Sequence, residues 1–192
     1  MTHPTLYLLR HGQTDWNRDR RIQGQRESRL TDLGREQASA QGRILAGLGL
    51  PPGTRAFVSP LWRTRETAEL ALAPAGLVPI FDDRLKEVGM GVWEGRMWAD
   101  LLAERGASET DIFDLCLTAP GGEDIAAMTT RIGAFIDELR GLTDPVVVVS
   151  HGIALCVLRG LLRGLDHAEL AALDRPQGVV IELEAGAERL LS

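Results

Sequence analysis

Two histidines in this 192-residue chain each close an apolar run, and each is followed by glycine. Leu6-Tyr7-Leu8-Leu9 ends in Arg10-His11-Gly12, and Val146-Val147-Val148-Val149 ends in Ser150-His151-Gly152. Short apolar runs that stop at glycine predict buried strands followed by tight turns. Open α/β sheets bind ligands beyond the carboxyl ends of their strands, so both imidazoles are predicted at the mouth of one crevice. A fixed cation beside an imidazole, with Gly12 letting the backbone come close, suits an anion such as a phosphoryl group. Ser59 ends a third strand, and Arg63 falls in the first turn of the helix after it, where the dipole already favours anions. The Gly-rich stretch from Leu85 to Gly95 adds carboxylates. Glu87, near Trp93, is a candidate proton donor; Glu87 and Glu94 serve equally well as ordinary loop carboxylates or arginine partners.

The elements that must carry these residues alternate along the chain. After the first strand, residues 15–29 are polar and arginine-dense without periodicity. They predict a loop, either solvated or lying over the anion site with Arg18, Arg20 and Arg21 in reach. Thr31 or Asp32 offers an N-cap to a helix carrying Leu33, Gln37, Ala40, Ile44 and Leu48. Residues 55–59 read as a strand. Pro60 is expected in the first turn of a helix running to about Ala73, and residues 77–81 as a strand, at an edge because of Pro79. The stretch 82–119 is irregular: a glycine loop at Gly89-Met90-Gly91, then one or two short helices covering the site. Glu123 or Asp124 opens the clearest amphipathic helix, with Ile125, Met128, Ile132, Phe135 and Leu139 on one face. The valine strand follows, then a helix with Ile153, Val157, Leu158, Leu161 and Leu162, and a last strand over 178–183. This alternation predicts a three-layer α/β/α sandwich with a mostly parallel central sheet.

Composition narrows the function classes. A length of 192 residues and 44% hydrophobic content suit one domain over residues 1–192, with 82–119 as a cover over the site. The 21 Lys and Arg against 27 Asp and Glu leave a net charge of −6, which disfavours nucleic acid or an acidic membrane as partner. Any anion site must then be a local cluster of arginines on an acidic molecule. Cys116 and Cys156 read as free buried thiols. No apolar stretch approaches a membrane span of ~20 residues, and no signal-peptide layout opens the chain; a cytoplasmic protein is expected. No metal-ligand spacing is present, and no cofactor is expected.

The segment Arg10-His11-Gly12-Gln13-Thr14-Asp15-Trp16-Asn17 resembles the signature of the histidine phosphatase superfamily, the phosphoglycerate-mutase-like family. The similarity continues in order through Gln23-Gly24, Leu30 to Ala38, Ser59 to Ala68, Glu87 to Gly95, Pro120-Gly121-Gly122-Glu123 and Ser150-His151-Gly152. It implies an α/β/α sandwich and a metal-independent phosphohistidine mechanism. In that mechanism His11 is the nucleophile, its other ring nitrogen held by a backbone carbonyl. Arg10, Arg63 and His151 surround the phosphoryl oxygens, with Asn17 and Gly152 adding contacts. Glu87 protonates the leaving alkoxide and then helps activate water. Arg18, Gln23 and Gly24 are candidate substrate contacts. The chain departs from the common pattern at Glu27-Ser28-Arg29, where many relatives carry Asp and then Pro.

Three functions follow from the resemblance: a phosphomonoester phosphatase acting on a small phosphorylated metabolite, a phosphoglycerate mutase needing a bisphosphate primer, or a phosphate-ester binding protein without turnover. The mutases usually carry longer insertions and a mobile tail, so the shorter chain is expected to let water accept the phosphoryl group. Trp98 and Phe113 offer either a homodimer contact or packing under the cover helices.

Overall fold

The structure, a computed structural model, describes residues 3–192. Six strands form one sheet: β1 (Leu6–Arg10), β2 (Arg55–Val58), β3 (Pro79–Phe81), β4 (Val146–Ser150), β5 (Val180–Glu184) and β6 (Ala187–Leu191). Their order is β3-β2-β4-β1-β5-β6. Pairing is parallel from β3 through β1 and antiparallel from β1 to β6.

Period-two alternation within the strands divides the core between the two faces. Leu6, Leu8, Phe57, Val146 and Val148 face one cluster, shared with α6 (Ile125–Leu139) and α7 (Gly152–Arg163). Tyr7, Leu9, Ala56, Val58, Val147 and Val149 face the other, against α2 (Asp32–Gly47) and α3 (Trp62–Leu72). All four valines are fully buried. Thr31 caps α2 and Asp124 caps α6, their side chains accepting from Gly34 N and Ala127 N.

Several expectations need correction. Residues 15–29 are not all loop: Thr14 caps a single-turn helix, α1 (Asp15–Arg18), in a capping box with Asn17. Pro60 precedes α3, whose N-cap is Leu61. The edge strand β3 begins at Pro79, two residues later than the apolar run. The buried stripe of α2 is Gly34, Ala38, Gln41, Gly42 and Leu45, and Leu33 is 46% exposed. Small residues win that face because the helix approaches backbone: a Cβ on Gly34 would stand 2.0 Å from Gln13 O, and one on Gly42 2.8 Å from Leu70 O. Leu161, expected in the stripe of α7, is 41% exposed. The strand after 178 is not the last. Ala185 and Gly186, both at positive φ, turn the chain back into the edge strand β6.

Over the carboxyl edge of the sheet, the loop Gly89-Met90-Gly91 leads to α4 (Trp98–Arg105) and α5 (Ile112–Cys116). Phe113 is buried at 1% exposure and Trp98 is half-buried, packed against the core, so Phe113 is no surface contact. A further short helix, α8 (His167–Ala171), precedes the loop 172–179 that leads into β5. No described helix is long and apolar enough to cross a membrane.

Candidate active site

Sheet register brings the three strand ends together. Arg10 pairs with Ser150 across β1 and β4, and Val58 pairs with Val149 across β2 and β4. The turns leave in the same register, with His11 N donating to Ser150 O at 3.1 Å and Ser59 N to Val149 O at 2.9 Å. Two packing contacts then fix the Arg10-His11-Gly12 turn. Gly12 N donates to Thr67 Oγ1 on α3 at 3.1 Å, and a Cβ on Gly12 would lie 2.1 Å from Gly34 O on α2. Gln41 on α2 donates to Arg10 O and to Val179 O, both at 3.0 Å.

His11 is 3% exposed, and its Nδ1 lies 2.8 Å from Gly12 O. A carbonyl can only accept, so Nδ1 carries the proton and Nε2 is the free lone pair. Burial holds this imidazole well below the ordinary histidine range, and the charges of Arg63 and Arg10 depress it further. The same causes act on His151, whose ring centre is 5.2 Å away.

His151 is fully buried, with both nitrogens engaged. Nδ1 accepts from Arg63 Nε at 3.1 Å, so Nε2 carries the proton and donates to Ser59 Oγ at 2.7 Å. It stands behind the cleft wall, clamped between α3 and the end of β2, not on the cleft surface. Arg63, 1% exposed, also donates to Gly24 O at 2.7 Å and Arg26 O at 2.9 Å, leaving two of its five N–H groups. Burial pulls its pKa down to about 10, against the pull of Glu87 and Glu27, and it stays charged at neutral pH.

A cleft of about 320 Å³ opens here, lined by Arg10, His11, Asn17, Gln23, Gly24, Arg63, Glu87 and Gly152 among the residues expected from sequence. Asn17 Oδ1 accepts from Thr14 N in the cap of α1, which leaves its amide donor for the cleft. Gln23 Oε1 is taken by Thr14 and Ser28 hydroxyls. Glu87 sits at the N-terminus of α7, accepting from Ile153 N, Ala154 N and Val88 N at 3.0–3.2 Å. Its carbonyl is held by Gln25 and Arg131, and Arg131 is itself fixed by a two-pronged ion pair with Glu123. Glu94 braces the loops instead, accepting from Gln25 N and Met90 N.

Arg18 does not reach the cleft; it lies in solvent, paired with Asp19. Arg20 pairs with Glu109, and of the three arginines Arg18, Arg20 and Arg21 only Arg21 lines the site. Glu27, where the chain departs from the common pattern, accepts from Trp62 N at 2.7 Å at the start of α3. Sequence reasoning missed Arg175, which lines the cleft, and Gln177, which donates to His11 O at 2.8 Å. Both lie on loop 172–179, which has no periodicity to reveal its path.

The four cleft arginines share one property. Arg10 donates to Arg175 O, Arg21 to Gly95 O and Arg63 to two backbone carbonyls and His151, while Arg175 makes no ion pair among the described residues. Among the described residues, none is within 4.0 Å of a carboxylate, so their charge is available to an anion. An unprotonated ring nitrogen, uncompensated cations and one oriented carboxyl group thus share a single cleft. Among the described residues, no group of three or more His, Cys, Asp or Glu is placed to hold a metal ion.

Comparison with known proteins agrees with this geometry. Residues 6–191 match the family model described as histidine phosphatase superfamily (branch 1). Proteins named probable phosphoglycerate mutase GpmB from Erwinia tasmaniensis and Escherichia coli are 38% identical over 164 residues, 83% of this chain and 75% of theirs. A mycobacterial glucosyl-3-phosphoglycerate phosphatase solved with VO3 superposes with a TM-score of 0.83 at 32% identity, covering 97% of this chain and 96% of that one. The alpha-ribazole phosphatase of Shigella flexneri gives 0.80 at 28% identity, covering 97% and 95%. With its mostly parallel α/β/α sheet and a match that spans nearly its whole length, the chain belongs to the histidine phosphatase superfamily, branch 1.

Proposed function

We propose that this protein is a phosphomonoester hydrolase that acts on a small phosphorylated metabolite through a phosphohistidine on His11. One observation carries the reading: His11 keeps Nε2 unprotonated, because Nδ1 is committed to Gly12 O, and it does so in a cleft of arginines free of carboxylate partners. Nε2 attacks phosphorus in line, the ester P–O bond breaks, and the departing alkoxide takes a proton from Glu87. Glu87, now a carboxylate, takes a proton from water as that water attacks the phosphohistidine; the P–N bond breaks and inorganic phosphate leaves. Arg10, Arg63, the Asn17 amide and the start of α7 at Gly152 meet the charge that develops on the equatorial oxygens. His151 acts through Arg63, whose Nε it holds.

The structural relatives named as phosphatases, which match 97% of the chain, support hydrolysis. A second reading, a phosphoglycerate mutase, draws support from the curated relatives at 38% identity. The test is hydrolysis of p-nitrophenyl phosphate in excess chelator, with acid-labile phosphate trapped on the protein. Both are expected in wild type and absent in His11→Ala. Isomerisation of 3- to 2-phosphoglycerate, accelerated by 2,3-bisphosphoglycerate and faster than hydrolysis, would establish the mutase instead. Neither turnover nor labelling would leave a phosphate-ester binding protein.

A further inference from the structure

Loop 172–179 crosses the cleft under unusual restraint. Arg159 Nη1 donates to Asp174 O at 2.7 Å, Arg10 Nη1 to Arg175 O, and Gln41 Nε2 to Val179 O at 3.0 Å, while Gln177 Nε2 reaches His11 O. Pro176 further restricts the backbone of the residue before it. Arg175 therefore sits on a rigid mount, yet its guanidinium makes no hydrogen bond or ion pair among the described residues. Its Nη1 is buried without a partner, as is Arg10 Nε. The two side chains lie together over the first residue of α7: a Cβ on Gly152 would stand 3.5 Å from Arg175 Cδ and 3.6 Å from Arg10 Nε. On its other side the Arg175 guanidinium stands over the Phe113 ring, at 5.9 Å, on the cover helix α5. It thus bridges the cationic end of the cleft and the cover, where Val88, Met90, Ile112 and Ile153 otherwise present apolar wall.

We infer that Arg175 binds a second acidic group, a carboxylate or a further phosphate, carried by the leaving group of the ester; the inference rests on the phosphatase reading. An arginine fixed by its own backbone and left unpaired in a cleft is preorganised for a fork-shaped contact with such a group. The substrate class is then a doubly anionic metabolite with its two acids on one small skeleton.

Matched pairs test this. Kinetics of wild type, Arg175→Gln and Arg175→Lys are measured on 3-phosphoglycerate against glycerol 3-phosphate, and on fructose 1,6-bisphosphate against fructose 6-phosphate. Wild type is expected to prefer the acidic member of at least one pair by about 10–100-fold in kcat/KM, the worth of one charged hydrogen-bonded contact. Arg175→Gln removes that preference, mainly through KM, costing the acidic member at least about tenfold more than its partner; Arg175→Lys retains part of it. Equal losses on both members would place Arg175 on the reacting phosphoryl group and overturn the inference, as would a wild type without preference. Calorimetric binding of the preferred acid to His11→Ala, with and without Arg175→Gln, needs no turnover. A tenfold weakening there supports the inference even if the hydrolase reading fails, and unchanged affinity refutes it.

Discussion

Lowering the pH should destabilise this protein well before its carboxylates protonate. His11 and His151 are buried and both are depressed well below the ordinary value of 6.5, first by burial and then by Arg63. The unfolded chain takes up protons at these two residues near that value, while the folded chain does not. Stability is therefore full above the unfolded pKa and drains as pH falls below it, with a limiting slope of about 1.4 kcal/mol per pH unit for each histidine and about 2.7 for both. With a urea m-value of about 2 kcal/mol/M, the unfolding midpoint drops by about 1.3 M between pH 6 and pH 5. The carboxylates with depressed values, Glu123 and Glu188 among them, start from 4.5 and act only below this window. Urea titrations followed by circular dichroism from pH 5 to 8 measure the slope, and His151→Asn should halve it. The same depression keeps His11, the proposed nucleophile, neutral, so kcat/KM should show no acid limb at pH 6.5. A flat stability profile across the window, or a rate that falls tenfold per unit below 6.5, would refute the reasoning.

Other substitutions probe single contacts. Glu87→Gln should slow alkyl phosphates, whose alkoxides need a proton, about 10²–10⁴-fold, and p-nitrophenyl phosphate far less; equal losses in a leaving-group series would remove Glu87 as the acid. Gly12→Ala drives a methyl into Gly34 O and should cost about 1–3 kcal/mol in urea melts, with a larger loss of kcat because His11 moves with the turn. Melts within 0.5 kcal/mol of wild type would show the contact to be slack. Arg159 is 6% exposed by side chain and forms a two-pronged pair with Glu188 of β6. Arg159→Met leaves the partly buried Glu188 with Arg163 alone, at 3.3 Å, so it should cost about 1–3 kcal/mol, and Arg159→Met with Glu188→Leu should recover much of it.

The residues that line the cleft were easier to read from the sequence than the packing that places them. Two histidines at strand ends were legible because four β-branched valines and the short run Leu6 to Leu9 favour buried strands, and parallel register then brings their ends together. Helix α2 was misread for the opposite reason. Its inward face is glycine, alanine and glutamine, chosen for close approach to the Arg10 to Gln13 backbone, and no hydrophobic pattern announces a face selected for small size. Strand β6 escaped because an edge strand with Glu188 and Arg189 carries little apolar signal; its register comes from the turn at Ala185-Gly186 and the Arg159 pair. Arg18 and Arg175 show the same limit for charges. Both are arginines in aperiodic segments, and only the tethering of loop 172–179 decides that Arg175, not Arg18, faces the cleft.

How a chain of net charge −6 builds a cationic site follows from what its arginines bind. Outside the cleft, Arg18, Arg35, Arg84, Arg131 and Arg159 are each paired with carboxylates, which neutralises them locally. Inside it, Arg10, Arg21 and Arg63 are held by backbone carbonyls. A carbonyl fixes a guanidinium in place without cancelling its charge, whereas a carboxylate would do both. The excess acid of the molecule is thus spent on the exterior and on loop braces such as Glu94 and Glu123. The cleft keeps Glu87, oriented by two amides at the start of α7 and by Val88 N, and at its mouth Glu109, already paired with Arg20. Long-range repulsion of an anionic substrate by the acidic surface is screened over about 8–10 Å at physiological salt. The uncompensated arginines dominate at contact, and under the proposed function that division would let an acidic protein bind a phosphoryl group.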